Sequence, residues 1–324
     1  MTVVMRTALV VNPRSGGKKS DRARRALVEA FHGLAPDGEV AETRADGGAR
    51  GVVNGLLHAG FECVAVAGGD GSLNEAANGF FDEVPVSMGE GGAAALRAVN
   101  PEACMAVVPL GTGGDFRRTA GLEPDPIAAL SLLTGTSTRP CDLGHVSYVD
   151  REDRLAGRLF LNIASFGMSG LVDEYVNRSG RALPGSMSFF LSTVRAFMDY
   201  RNVEVEVRMD SAAPTRKKML TVAVANGRFF GGGMEVAPEA VTDDGLFDVT
   251  ILGDLGLWDF TVHSKKLYGG KILGLEGVDH GRARRVEIAT VDSAARMLMD
   301  LDGEPVGRLP ATLTVLPGAI RLKS

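Results

Sequence analysis

Along the first hundred positions, apolar residues recur in two alternating patterns. Short runs of small or β-branched residues at 7–11, 39–43, 64–67 and 106–109 read as buried strands. Between them the apolar positions fall three and four apart. Ala23, Ala26, Leu27, Ala30 and Phe31 share one helical face, and Val52, Val53, Leu56 and Leu57 share another. A third, alanine-rich helix opens at Ser72 and stops at Gly79. Strand and helix in alternation imply a parallel sheet covered on both faces. Near Arg139 the pattern changes to a period of mostly two. Segments 160–163, 203–209, 220–224, 247–252, 285–289 and 313–316 read as strands joined mostly by Gly, Asp or Pro turns. The expectation is an α/β domain over 1–138 and a mainly antiparallel domain over 139–324. Helices interrupt the second half. Met187, Phe190, Leu191, Val194, Phe197 and Met198 share one face, which suits core or the wall of an acyl cleft. Another helix, at 257–267, carries Lys265 and Lys266.

Candidate chemistry lies where strands of the first half run into loops. The strand at 64–67 meets Gly68-Gly69-Asp70-Gly71 and then Ser72-Leu73-Asn74-Glu75. Glycines at a strand-to-helix turn let backbone approach a ligand, and the helix N-terminus offers unpaired N–H groups to an anion. The first strand meets Asn12-Pro13-Arg14-Ser15-Gly16-Gly17, a loop that fits phosphate contact or an ordinary connection equally well. Thr43 ends the second strand. Leu110-Gly111-Thr112-Gly113-Gly114-Asp115 follows the fourth, with Arg117 and Arg118 beyond it. Ligands of such sheets bind at the carboxyl ends of the strands, and all these segments lie there. In the second half, Asp243-Asp244-Gly245 is either a turn or a hard-cation site. The acid-rich Asp300-Leu301-Asp302-Gly303-Glu304 turn could supply a general base.

Composition narrows the picture. The 324 residues are 45% hydrophobic and 23% charged, ordinary for a globular chain. A net charge of -5 argues against a general nucleic-acid binder. Cys63, Cys104 and Cys141 have no metal-ligand spacing and sit in or beside apolar runs, as reduced buried thiols of a cytoplasmic protein would. The first residues read as a strand rather than a signal peptide, and no run is long enough to span a membrane.

Four stations occur in one order: N-P-R-S-G-G at Asn12, G-G-D-G-S-L-N-E at Gly68, P-L-G-T-G-G-D-F at Pro109 and D-G-E at Asp302. With F-L-N-I-A-S-F-G at Phe160, A-N-G-R-F-F-G-G-G-M at Ala225 and D-D-G-L-F-D at Asp243, the chain resembles the diacylglycerol kinase catalytic-domain family in its bacterial soluble branch. Sphingosine and ceramide kinases share the pattern. The resemblance implies an N-terminal ATP-binding domain of the NAD kinase and phosphofructokinase type, a β-sandwich-like second domain and a lipid cleft between them. By motif, ATP would contact Asn12, Pro13, Arg14, Ser15, Gly16, Thr43, Gly69, Asp70, Gly71, Ser72, Leu73, Asn74, Glu75, Thr112 and Asp115. Glu304 matches the catalytic base, with Asp70 and Asp302 beside it in the catalytic group. Asp70, Asp115 and Asp142 match acids around metal and phosphates. Asp244 matches a structural Mg²⁺ ligand, helped by carbonyls of Val241 and Leu246. The chain departs from the pattern at Ser72, where threonine is commoner, at Gly114, where asparagine is usual, and in a longer 85–102 loop.

The expected function is ATP- and Mg²⁺-dependent phosphorylation of a lipid hydroxyl by a cytoplasmic enzyme that touches membranes peripherally. Lys265, Lys266 and Lys271, or Arg216-Lys217-Lys218, are either solvated surface charge or a face for anionic headgroups. Oligomeric state is open, a homodimer included. The rival expectations are a kinase for a soluble acceptor such as NAD and a non-catalytic nucleotide-binding protein.

Overall fold

The computed structural model describes residues 5–13, 20–43, 48–87, 96–110, 114–179, 192, 195–196 and 199–324. Arg14, Ser15, Gly16, Thr112, residues 88–95 of the 85–102 loop and the whole apolar stripe of Met187, Phe190, Leu191, Val194, Phe197 and Met198 lie outside the described residues.

The first half is built on β1 (Thr7–Val11), β2 (Glu39–Glu42), β3 (Cys63–Gly68) and β4 (Cys104–Pro109), all parallel, in the order β4-β3-β1-β2. The helices α1 (Ser20–Leu34), α2 (Gly48–His58) and α3 (Asp70–Asn78) connect or follow them, and α4 (Asp115–Thr119) comes after β4. β3 is buried along its length because it feeds two cores. Successive side chains of a strand point to opposite faces. Val64 and Val66 pack with Leu57 and Leu73 on one face, and Ala65 and Ala67 pack with Leu27 and Phe31 on the other. This is why the run reads as continuously apolar rather than alternating. The three cysteines are buried and free.

The second half is antiparallel, as its alternating sequence implies. It contains β5 (Thr138–Asp150), β6 (Leu155–Phe160), β7 (Ile163–Gly167), β8 (Val203–Met209), β9 (Thr215–Met219), β10 (Thr221–Ala225), β11 (Phe229–Phe230), β12 (Met234–Glu235), β13 (Phe247–Leu252), β14 (Val278–Ala283), β15 (Arg285–Thr290), β16 (Leu298–Leu301) and β17 (Glu304–Lys323). Inward side chains such as Val146, Phe160, Phe166, Val224, Phe247, Val286 and Leu313 form its core. Two strands differ from expectation. The strand placed across 160–163 is a break between β6 and β7, because the N–H groups of Leu161, Asn162 and Ile163 all turn to one carboxylate, Asp302. The short strand at 313–316 is the middle of β17, which runs through its glycines and prolines by shifting register between Arg308 and Thr312 and between Leu316 and Ile320.

β17 joins the halves. Its start pairs with β16, and its end pairs in parallel with β4, Arg321 opposite Cys104 and Leu322 opposite Met105. One sheet therefore continues from the parallel half into the antiparallel half. Although the chain crosses near residue 138, its last strand returns to the first half. Among the described residues, no helix is long and apolar enough to cross a membrane.

Candidate active site

The site forms where β3 ends. Gly69 precedes α3 in extended conformation with no side-chain cap, so the first N–H groups of the helix point out at the carboxyl edge of the sheet. Leu73 turns its side chain into the core beneath. Asn12, at the end of β1, donates from Nδ2 to Ser72 Oγ at 2.9 Å. Pro13 follows in the same segment, and Thr43 is tied to β1 by its N–H to the Val11 carbonyl at 3.0 Å. The described parts of the four predicted nucleotide segments thus meet at one edge.

Asp70 spans the turn. Its Oδ2 accepts the N–H groups of Gly114 and Asp115 at 2.8 and 3.1 Å, and its Oδ1 accepts that of Phe116 at 3.1 Å. It therefore caps α4 from a distance. Gly114 sits at φ 113°, a conformation side chains rarely adopt, so glycine at this position contributes its amide to Asp70. Asp115 turns the other way. Its carboxylate accepts from Arg118 at 2.6 Å and from the Gly232 amide at 2.8 Å, linking α4 to the second half. Burial pushes the Asp115 carboxyl above the usual carboxylate range.

Glu304 faces this turn. A methyl group built on Gly71 would lie 3.4 Å from Glu304 Oε1. Glu304 Oε2 is held by Arg158 at 2.6 Å, which leaves Oε1 toward the glycine turn. Arg158 carries no motif signal in its strand, and its role appears only once β6 is set beside α3. The expected meeting of the Asp302-Gly303-Glu304 turn with the Gly68–Ser72 turn is present in the geometry.

Three residues expected at the nucleotide or in catalysis do other work. Asp302 is buried, and its carboxylate accepts the Asn74 Nδ2 at 2.5 Å and the amides of Leu161, Asn162 and Ile163 at 2.8, 3.0 and 2.8 Å. With about four lone-pair sites on a carboxylate, none remains for substrate. Asp302 is a positioning residue that sets the turn carrying Glu304. Burial pushes its carboxyl up to about 6 against these four donors. Asn74 points away from the edge toward Asp302 and the Leu159 carbonyl. Asn78, one turn on, exchanges hydrogen bonds with the Leu159 backbone at 3.0 and 3.2 Å. Glu75 accepts the Ala49 amide at 2.6 Å and so caps α2.

The Asp244 station does not fit a cation as arranged. One Asp244 oxygen is ion-paired with Arg282 and the other accepts the Leu246 amide at 3.0 Å. Arg282 also reaches Asp248 at 3.3 Å. Both Asp244 oxygens are thus taken by N–H donors, and the site is decided at this carboxylate rather than at the carbonyls of Val241 and Leu246. The donor atoms of Glu239, Asp248 and His280 lie within 4.8 Å of one another, but Asp248 is already engaged by His280 at 3.0 Å. Asp142 is likewise structural: it accepts the amides of Gly245 and Gly318, both at 2.7 Å. At Asp70 the outcome differs. Among the described residues, Oδ1 takes a single donor, and an oxygen with acceptor capacity to spare fits a hard cation.

An α/β domain with glycine turns at its sheet edge, faced by a carboxylate from an antiparallel domain, has the NAD kinase-like fold. The chain belongs to the diacylglycerol kinase catalytic-domain family: residues 6–146 match the diacylglycerol kinase catalytic domain, and residues 162–324 match the YegS C-terminal NAD kinase beta sandwich-like domain. Its relatives include a Pseudomonas aeruginosa protein named "probable lipid kinase YegS-like", 33% identical over 97% of this chain and 92% of that protein. A Bacillus subtilis diacylglycerol kinase is 25% identical over 94% and 91%. A crystal structure of a Bacillus anthracis diacylglycerol kinase shares the fold, with a TM-score of 0.69 at 21% identity over 98% of this chain and 96% of that one.

Proposed function

We propose that this chain transfers the γ-phosphoryl group of ATP to the hydroxyl of a lipid, as a diacylglycerol kinase does. The observation that carries the reading is Glu304 Oε1 facing Gly71 across the cleft while Arg158 holds Oε2. Phosphoryl transfer needs positioning and charge neutralisation more than covalent chemistry. The amides at the start of α3 and the Gly69-Asp70-Gly71 backbone would bind the phosphates. Asp70, fixed by three amides, is the residue that would hold Mg²⁺, which when bound neutralises charge on the phosphates. Glu304 Oε1 would accept the proton of the attacking hydroxyl. Arg158 orients the carboxylate, and Asp302 fixes the turn from behind.

Glu304→Gln keeps the shape and removes the charge. Turnover should fall by about 10²–10⁴ with ATP affinity and Tm nearly unchanged. Reduced stability with turnover per folded molecule intact would make Glu304 a turn residue only. Diacylglycerol dispersed in detergent is the first acceptor to test, with NAD as the soluble rival.

A further inference from the structure

We infer that helix α5 (Leu257–Leu267) docks this protein on an anionic lipid surface, with Trp258 and Val262 entering the interface and Lys266 meeting the headgroups. The inference rests on the lipid-kinase reading above for its biological sense, and on exposure and charge for its physics.

Trp258 is 78% exposed and Val262 55% exposed. They stand four residues apart, so they share one stripe of the helix, and exposed Lys266 continues that stripe one turn further. The neighbouring side of the helix, about 100° round, is occupied: Asp259, His263 and Leu267 line an apolar cavity with Leu252 and Ile272. The Trp258 stripe is thus the outward one. Scattered apolar residues on a surface need no explanation. An indole left in water beside a second apolar residue and a cation is a different case, because tryptophan favours the boundary between lipid and water. Tyr268, 52% exposed, and exposed Lys271 extend the patch just past the helix. Lys266 and Lys271 stand at the edge of this apolar stripe while Asp259 and Glu276 turn to the cavity behind it, and with an exposed indole this arrangement favours an anionic bilayer over an acidic chain of this kind as the occupant.

A chain of contacts leads from the loop after this helix toward the reaction edge. Gly270 backs onto the Glu235 carboxylate, and Glu235 is ion-paired with Arg228. The Arg228 amide donates to Thr119 Oγ1 at 2.9 Å in α4, where Asp115 takes the Gly232 amide. The negative charge of Asp115 adds to burial in pushing the Tyr268 hydroxyl above its ordinary range. A bilayer lying on α5 would therefore be brought close to the cleft entered by the acceptor.

The chain contains one tryptophan, so its fluorescence reports on this helix alone. The experiment titrates full-length protein with vesicles of phosphatidylcholine, with and without phosphatidylglycerol, at low and high salt. The emission should shift to the blue with phosphatidylglycerol vesicles, and the shift should weaken as salt screens the lysines. Val262→Asp with Lys266→Glu keeps the indole and should abolish the shift at unchanged Tm. The same variant should lose at least tenfold in turnover of vesicle-embedded diacylglycerol and keep turnover of a short-chain, water-soluble diacylglycerol. Turnover of the short-chain acceptor by the unsubstituted protein with no vesicle-induced shift would overturn the docking inference and leave the kinase reading standing. A vesicle-induced shift with no acceptor turned over would sustain docking and defeat the kinase reading. A blue shift that tracks protein concentration without lipid, with a matching rise in sedimentation mass, would assign the face to a second copy of the chain and overturn the inference.

Discussion

At the scale of single residues, the two acids of the D-G-E turn divide their work. Glu304 meets the cleft, while Asp302 is closed off by four N–H donors. Removing that carboxylate leaves buried donors without a partner, each costing about 1–3 kcal/mol. Asp302→Asn turns an NH₂ toward the same donors and should lower stability by about 3 kcal/mol in urea unfolding. The pH dependence has a definite sign. The native carboxyl, near 6, lies above the unfolded value of about 3.9. The native state therefore binds this proton more tightly, so the group stabilises the fold most below about 4 and loses that contribution as pH rises through about 6. The stability of the unsubstituted protein relative to Asp302→Asn should grow as pH is lowered from 7 to 4.5, and a pH-independent difference would contradict this account. Both acids were legible as candidates because a short acidic turn is visible in sequence. Which one faces solvent was not legible, since it depends on Asn74, distant in sequence, and on a break in β6–β7 that reads as continuous strand. Glu75 and Asn74, expected at the nucleotide, turn elsewhere for a similar reason. The motif shows their position on α3 but not the direction in which each side chain leaves the helix.

At the scale of elements, the β3–α3 turn was the most legible part. A wholly apolar short strand, glycines and an alanine-rich helix all agree locally. Gly71 gives this turn a clean test. Alanine suits a helix better than glycine by up to about 1 kcal/mol, so Gly71→Ala should not lower Tm. Its methyl group would stand 3.4 Å from Glu304 Oε1, in the space the proposed acceptor hydroxyl would need. Turnover should fall by about tenfold or more while stability is kept or raised, and a fully active variant would remove the cleft from the account. The Asp243-Asp244-Gly245 turn was legible as a turn but not in its partner. Arg282 comes from β14, and only the β13–β14 pairing brings its guanidinium to Asp244 and Asp248. A guanidinium already occupies the charge of this turn. Chelator should accordingly leave Tm unchanged, and a marked drop on chelation would restore a cation at Asp244. β17 was the least legible element, since Pro310, Pro317 and Gly318 break a strand pattern yet sit at register shifts of one long strand.

At the scale of the whole molecule, the alternation of periods predicted two kinds of domain, and both are present. Their union was hidden, because the strand that returns to β4 is the last in the chain and its pairing is long-range. That return holds the two halves as one sheet, and Asn74, Asn78 and Asp302 tie α3 to β6 and to the D-G-E turn. Positioning across the cleft is thereby built into the fold: the glycine turn comes from the first half, and the facing carboxylate from the second. The central claim is that this cleft moves phosphate from ATP to a lipid hydroxyl. It is tested most directly by incubating the protein with γ-labelled ATP, Mg²⁺ and a total lipid extract, beside NAD as a soluble acceptor and beside Glu304→Gln as a control. The account predicts a labelled lipid phosphate made by the unsubstituted protein, little label from Glu304→Gln and none in NAD. Label in NAD, or ATP binding with no labelled lipid from any extract, would contradict it.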